Sequence, residues 1–505
     1  MITRISSYTL SGLEVIEVDV QAQITSGMEN FIIVGLADKT IGESRERVKA
    51  SLASMGLALP SKKIVINLAP ADLIKEGSHF DLPIAVSLLC SMEILPIEEI
   101  RNYLVAGELS LDSRILPISG ILPAAIASSS HEMGLICPYS NGEEAAFSGN
   151  DGILPAKSLF DLVSHFKGEK QISPPKLPQT STTPYFPDMS DVRGQESAKR
   201  AVEIAASGEH NLLMSGPPGS GKSMLASRMP GILPHMTAIE VLETMMVASI
   251  SEQEFSLKSQ RPFRSPHHSS SRAALVGGGI GRNVKPGEIS LAHNGILFLD
   301  ELPEFPSNVI ESLRQPMENG RILISRSNFH ATYPAKFQLV VAMNPCRCGY
   351  AGDVERSCKK FPNCISEYQS KISGPILDRF DITIELSYDK FYINNDEGLE
   401  GESSSEIRQR VAKTRAIQKS RFEGYNISTN ARMEGKLIKD FAIPVDGSID
   451  LLNNAAERYK LSVRSYNKIL KVARTIADME GNKQVSKIHL AEALNYRDLG
   501  FKKNG

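Results

Sequence analysis

The sequence predicts a multidomain α/β protein, with a parallel-sheet core in the middle, a compact α/β unit before it and a helical unit after it. Three observations carry that reading. The chain has 505 residues, and at about 100–200 residues per domain this length supports three or four units, each able to bury its own core. An apolar run, NLLMSG, leads into the glycine-rich GPPGSGKSMLASRM, the strand, loop and helix order of α/β sheets. Past residue 405 the apolar spacing becomes helical up to the C-terminus.

Composition shifts place the boundaries. The first unit covers 1–170. The stretch KGEKQISPPKLPQTSTTPYFPDMSD, rich in Pro, Ser and Thr, disfavours helix and strand interiors and predicts a linker over 171–188. The core then runs over 189–391, until the acidic, polar YINNDEGLEGESSSE ends it, and the helical unit covers 405–505. Hydrophobic residues make up 41% and charged residues 23%, an ordinary globular balance, and no apolar run of about eighteen residues is present to span a bilayer. The opening MITRISSYTL has no apolar signal core, which predicts a cytoplasmic protein with reduced cysteines, so the six cysteines point to thiols or a metal. With a net charge of −2 the whole chain carries no basic signature, and any nucleic-acid contact must come from local loops or a ring of subunits.

The core carries the most specific signal. Gly216, Pro217, Pro218, Gly219, Ser220, Gly221, Lys222 and Ser223 form a Walker A motif between an apolar strand and a helix. Glycines let backbone N–H groups turn inward around phosphate, the helix N-terminus adds its positive dipole end, Lys222 reaches the terminal phosphates and Ser223 ligates magnesium. About 80 residues on, GILFLDELPEF places Asp300 and Glu301 after four apolar residues. A buried parallel strand ending in two carboxylates delivers them to the sheet edge where phosphates sit, Asp300 for magnesium and Glu301 to polarise the attacking water. A third strand, FQLVVAMNP, ends in Asn344, suited to orient water or the terminal phosphate. In SGPILDRFDI, Arg379 either pairs with a neighbouring acid or supplies the guanidinium that a charge-spread phosphoryl-transfer state requires. In LSVRSYNKILKVARTIADME, Leu470, Ala473 and Ala477 share a helix face, with Arg464 near the start.

This ordered set resembles an AAA+ ATPase. RPFRSPHHSSSRAALVGGG, PGEISLAHNGILFLDELPEF and ISGPILDRFD closely match magnesium-chelatase-like proteins of the ComM/YifB group, and the match extends from VGLADKTIGESRERVKASL to the C-terminal helices. The resemblance implies an AAA+ P-loop ATPase core with a helical C-terminal lid, using ATP and Mg2+ in a homohexameric ring. It implies that Asn344 is the first sensor, Arg379 an arginine finger donated to the neighbouring subunit, Arg464 the second sensor on the lid, and DVRGQ, ending in Gln195, the segment beside adenine. The N-terminal unit resembles the Lon peptidase fold. There a serine follows a K-x-G-x segment and a lysine sits in a later G-G-x-K segment; here His79 and Leu122 occupy those positions and Ser78 is one residue out of register. Leu122 cannot take a proton, so the scaffold is expected to be Lon-peptidase-like without the Ser-Lys dyad and without peptidase activity.

Two further clusters stand out. Cys346, Cys348, Cys358 and Cys364 lie within nineteen residues, dense enough for a tetrahedral zinc site, although the one-residue and five-residue gaps depart from common spacings and leave reduced surface thiols as the alternative. The glycine-containing segment 256–288 collects Lys258, Arg261, Arg264, Arg272, Arg282 and Lys285, either a solvated face or a loop that touches DNA phosphates without reading bases. Adjacent His267 and His268 are expected to point oppositely. The resemblance favours DNA, single-stranded or branched, because ComM-like proteins are associated with ATP-driven branch migration in recombination and natural transformation. The alternative it leaves is a protein-remodelling or metal-insertion ATPase like that of magnesium chelatase.

Overall fold

A computed structural model describes residues 2–35, 39–176, 186–251, 260–280, 283–326, 329–351, 360, 363–387, 401–444 and 448–497. Two large sheets organise it. The first has seven strands in the order Asn30–Val34, Lys63–Ala69, Glu14–Thr25, Ile2–Ser11, Tyr103–Val105, Gly134–Pro138 and Ile153–Ala156. Strand Glu14–Thr25 buries Val18, Val20 and Ala22 in strict alternation, the period of a sheet with one face against a core. Helix Asp81–Ser91 lies against that face and is buried along nearly its whole length.

The second sheet has five strands in the order Phe263–Arg264, Ile296–Leu299, Gln338–Met343, Leu212–Ser215 and Ile382–Glu385, and every neighbouring pair is parallel. Its three central strands are apolar runs buried on both faces, as parallel sheets require. On one face Leu212, Met214 and Val340 join Val411, Val472 and Ile476 of the C-terminal helices Ser404–Arg421 and Val463–Met479 in one hydrophobic cluster. On the other, Leu213, Leu299 and Val341 pack with Ile322, Ile324 and Tyr333 of the hairpin Arg321–Arg326 and Phe329–Pro334. Leu470, Ala473 and Ala477 are all buried, on the helix face their spacing predicts.

The two sheets meet through a small polar contact and a turn. Gly120 N–H donates to the Ser249 carbonyl at 2.9 Å and Leu122 N–H to Ser249 Oγ at 3.4 Å, so the N-terminal unit grips the end of helix Ala238–Ile250. Gly12, with φ +67°, turns the first hairpin so close to the second that an added Cβ would lie 3.0 Å from the Thr332 carbonyl oxygen. Within the N-terminal unit Ser78 Oγ donates to Glu108, and Leu122 is fully buried in helix Ile121–Ser130.

Candidate functional site at the carboxyl edge of the parallel sheet

The three central strands end together, and the residues that follow them converge. After Leu212–Ser215 the chain enters the glycine-rich loop. A Cβ on Gly216 would lie 2.6 Å from the Leu386 carbonyl oxygen, and Gly219 and Gly221 have φ of +78° and +89°, the left-handed region that only glycine adopts without strain. Gly221 opens helix Lys222–Ile232, whose first N–H groups have no intrahelical partner and face the loop. Lys222 is buried, and its Nζ donates to the carbonyls of Gly216 at 2.7 Å and Pro217 at 2.8 Å. Burial pushes its pKa down against the pull of Asp300 and Glu301.

The neighbouring strands complete the cradle. Ser223 Oγ donates to Asp300 Oδ2 at 2.7 Å, bringing together a hydroxyl and a carboxylate that are 77 residues apart in the chain. Asp300 Oδ1 accepts the Glu301 N–H at 3.0 Å. Glu301 takes a left-handed φ of +53°, which turns its carboxylate to where His268 Nδ1 lies 3.7 Å away. Asn344 Oδ1 is 3.3 Å from Lys222 Nζ. Gln195 Nε2 donates to the Ser387 carbonyl at 2.9 Å, and Asp191 pairs with Arg228 of the loop helix at 2.9 Å, so the DVRGQ segment borders the same edge. The residues present fit a nucleotide with a hard divalent cation: inward-turned backbone, a lysine, and an oxygen-only pair at Ser223 and Asp300. His268 was not expected here. Its ring lies against that of His267, tilted by 34° with centroids 4.0 Å apart, because a turn begins at His268, and the two do not point oppositely as an extended segment would place them.

Arg379 and Arg464 lie elsewhere. Both guanidinium groups pair with the carboxylate of Glu318, Arg464 at 3.2 Å. They line a groove of about 660 Å3 together with Asn211, Phe337 and Asp381, residues that immediately precede the three strands Leu212–Ser215, Gln338–Met343 and Ile382–Glu385. Arg379 and Arg464 therefore stand at the amino edge of the sheet, one strand length (about 13 Å for four residues) from the edge that holds Lys222. The helix carrying Arg464, the residue that the resemblance makes the second sensor, docks by its apolar face on the sheet core, which fixes its start at the amino edge. Lys468, on the same helix, is buried and donates to the Asp378 carbonyl and, at 3.0 Å, to that of Phe380, holding the turn that presents Arg379. Neither Glu318 nor Lys468 was singled out by sequence, and no local spacing marks them.

The basic segment also differs from expectation. Arg261 donates to the carbonyls of Pro234 and Asn294 at 3.0 and 2.8 Å and pairs with Glu240 at 2.8 Å; burial pushes the Glu240 carboxyl up, and Arg261 outweighs it and holds it below its ordinary value. Arg264 pairs twice with Glu288, at 2.6 and 2.8 Å. Both arginines are held in ion pairs within the chain, whereas Arg272 is exposed at the start of helix Arg272–Val276. Arg282 and Lys258 lie outside the described residues. Arg261→Ala is expected to lower stability by on the order of 2 kcal/mol, read as a reduced denaturation midpoint, with the salt slope of any DNA binding unchanged. Of the four cysteines, Cys346, Cys348 and Cys364 bring their sulfurs together, and Cys358 lies outside the described residues.

Comparison with known proteins agrees with this architecture. A family model described as magnesium chelatase, subunit ChlI, matches residues 188–392, one for subunit ChlI of Mg-chelatase matches 20–141, and one for the ChlI C-terminal region matches 401–497. These define the class as magnesium-chelatase-like. The competence protein ComM of Haemophilus influenzae is 42% identical over 97% of this chain and 96% of its own, and YifB of Escherichia coli is 40% identical over 97% and 95%. The chain belongs to the ComM/YifB family of magnesium-chelatase-like proteins. The magnesium-chelatase 67 kDa subunit of Chlorobaculum parvum is 26% identical over 31% of this chain. Among the described residues no helix is long and apolar enough to cross a membrane.

Proposed function

We propose that this chain is an AAA+ ATPase that uses ATP and Mg2+, assembles as a homohexamer, binds single-stranded or branched DNA and drives branch migration in homologous recombination or natural transformation. The observation that carries the reading is the separation of Lys222 and Arg379 to opposite ends of the same parallel strands. A phosphate site at one edge and two arginines that share the single carboxylate of Glu318 at the other complement each other between copies, which is the head-to-tail arrangement that closes into a ring. Magnesium held by Ser223 and Asp300 would neutralise charge on the phosphate oxygens. The loop N–H groups and Lys222 hold the terminal phosphates, Asn344 sits against Lys222 to orient the last of them, and Glu301 positions the attacking water. Arg379 from the next copy spreads the charge that develops at transfer, and Arg464 beside it reaches the same neighbour. Competence is the named role of the Haemophilus relative, and DNA is the substrate that role favours. The N-terminal unit serves in this reading as a Lon-like scaffold without peptidase chemistry, and the C-terminal helices as the lid module.

Glu301→Gln is expected to retain ATP binding and to lower turnover by about 10^2 to 10^4-fold; normal turnover in that variant would remove Glu301 from its role. The substrate is tested by ATP hydrolysis with and without single-stranded and branched DNA, with Lys222→Ala as the blank. Stimulation that is lost at higher salt supports the DNA motor. A second reading, a protein-remodelling or metal-insertion motor, is favoured by the ion pairs that occupy Arg261 and Arg264, and hydrolysis indifferent to DNA would select it.

A further inference from the structure

The sulfurs of Cys346, Cys348 and Cys364 all lie within 4.8 Å of one another, with Cys346 and Cys348 Sγ 3.0 Å apart. Cys346 is 0% and Cys364 7% exposed. Thiolates about 2.3 Å from a tetrahedral metal stand about 3.8 Å from each other, so the trio has nearly the spacing that a single ion imposes. Its position is as informative as its geometry. Cys346 follows Asn344 by two residues, and Cys364 belongs to helix Asn363–Gln369, so a metal there ties that helix to the turn after the strand. The turn also touches the phosphate loop. Gly349 donates its N–H to the Cys346 carbonyl at 3.0 Å, has φ +83°, and approaches Pro218 so closely that a Cβ would lie 2.5 Å from Pro218 Cδ.

We propose that Cys346, Cys348 and Cys364 bind a zinc ion as thiolates, and that the ion braces the phosphate loop through the Gly349–Pro218 contact. Soft sulfur ligands select zinc over the hard magnesium of the neighbouring site. The thiols release their protons as the metal binds, and no electrons are exchanged. The ion is structural: it holds Asn344 and Pro218 at a fixed separation, which a mobile cysteine turn would not do.

The full chain purified without chelator is expected to carry about one zinc per chain by elemental analysis. Cobalt(II) added to the metal-stripped protein is expected to give an intense sulfur-to-cobalt charge-transfer band, a test that needs no mutation of buried positions. Cys364→Ser and Cys348→Ser lose the metal, and Cys90→Ala, altering a buried cysteine of the N-terminal unit, keeps it. Stripping the metal is expected to weaken binding of a fluorescent ATP analogue by about tenfold, with recovery on adding zinc. No zinc and no charge-transfer band in a folded protein overturns the site. Zinc binding with unchanged analogue affinity on stripping overturns the brace. The metal readings use no nucleotide, so an error in the ATP-site reading appears separately, as no analogue binding by the zinc-loaded protein, and that outcome also overturns the brace.

Discussion

Arg379→Ala is expected to lower ATP turnover by about 10^3-fold or more while leaving nucleotide affinity close to that of the parent chain. The magnitude is that of an arginine finger, which acts on the transferring group and contributes little to ground-state binding. Arg379 is poised for this. Burial of its guanidinium pushes its pKa down and Glu318 pulls it up; in the proposed ring the arginine exchanges that one carboxylate for a neighbour's phosphates or is shared between them. The decisive measurement is mixing. Arg379→Ala subunits keep Lys222 and Lys222→Ala subunits keep Arg379, so random rings of the two contain intact interfaces at about a quarter of their junctions. Recovery of turnover on mixing two inactive preparations is the expected result; two proteins that stay inactive together would place Arg379 outside the neighbour's site.

Lys222→Ala is the other large effect, and it separates from the first in kind. Removing the ammonium is expected to cost at least about 10^2-fold in turnover and also to weaken nucleotide binding, because the lysine meets the phosphates in the ground state. Its carbonyl partner Gly216 is buried, so losing the donor is expected to cost on the order of 1 kcal/mol of stability, read as a small fall in the denaturation midpoint of a chain that still folds. Equilibrium binding of a fluorescent ATP analogue distinguishes the two variants: affinity falls in Lys222→Ala and holds in Arg379→Ala.

What the sequence made legible is what local order encodes. The phosphate loop, the acidic pair and Asn344 each follow an apolar strand directly, so a parallel sheet brings them together once its strands are recognised. Arg261 and Arg264 look the same in sequence as phosphate-binding arginines. Their partners, Glu240 and Glu288, lie 21 and 24 residues away on separate helices, and a count of basic residues cannot see that the charge is already matched. Arg464 is a comparable case. Its helix is plain from the spacing of Leu470, Ala473 and Ala477, but spacing gives a buried face and not the direction in which the helix docks, and the direction decides which nucleotide Arg464 can reach. Glu318 was invisible for the same reason: it acquires meaning only because Arg379 and Arg464, from two other segments, arrive beside it.

The division of the catalytic groups between the two edges of one sheet carries a consequence for the cell. In the proposed ring a solitary copy owns both halves of the machinery but cannot bring its own arginine to its own phosphates, so specific activity is expected to depend on how many copies are present. Dilution is then expected to silence hydrolysis without any inhibitor, and a modest rise in expression to bring a disproportionate rise in work done per chain.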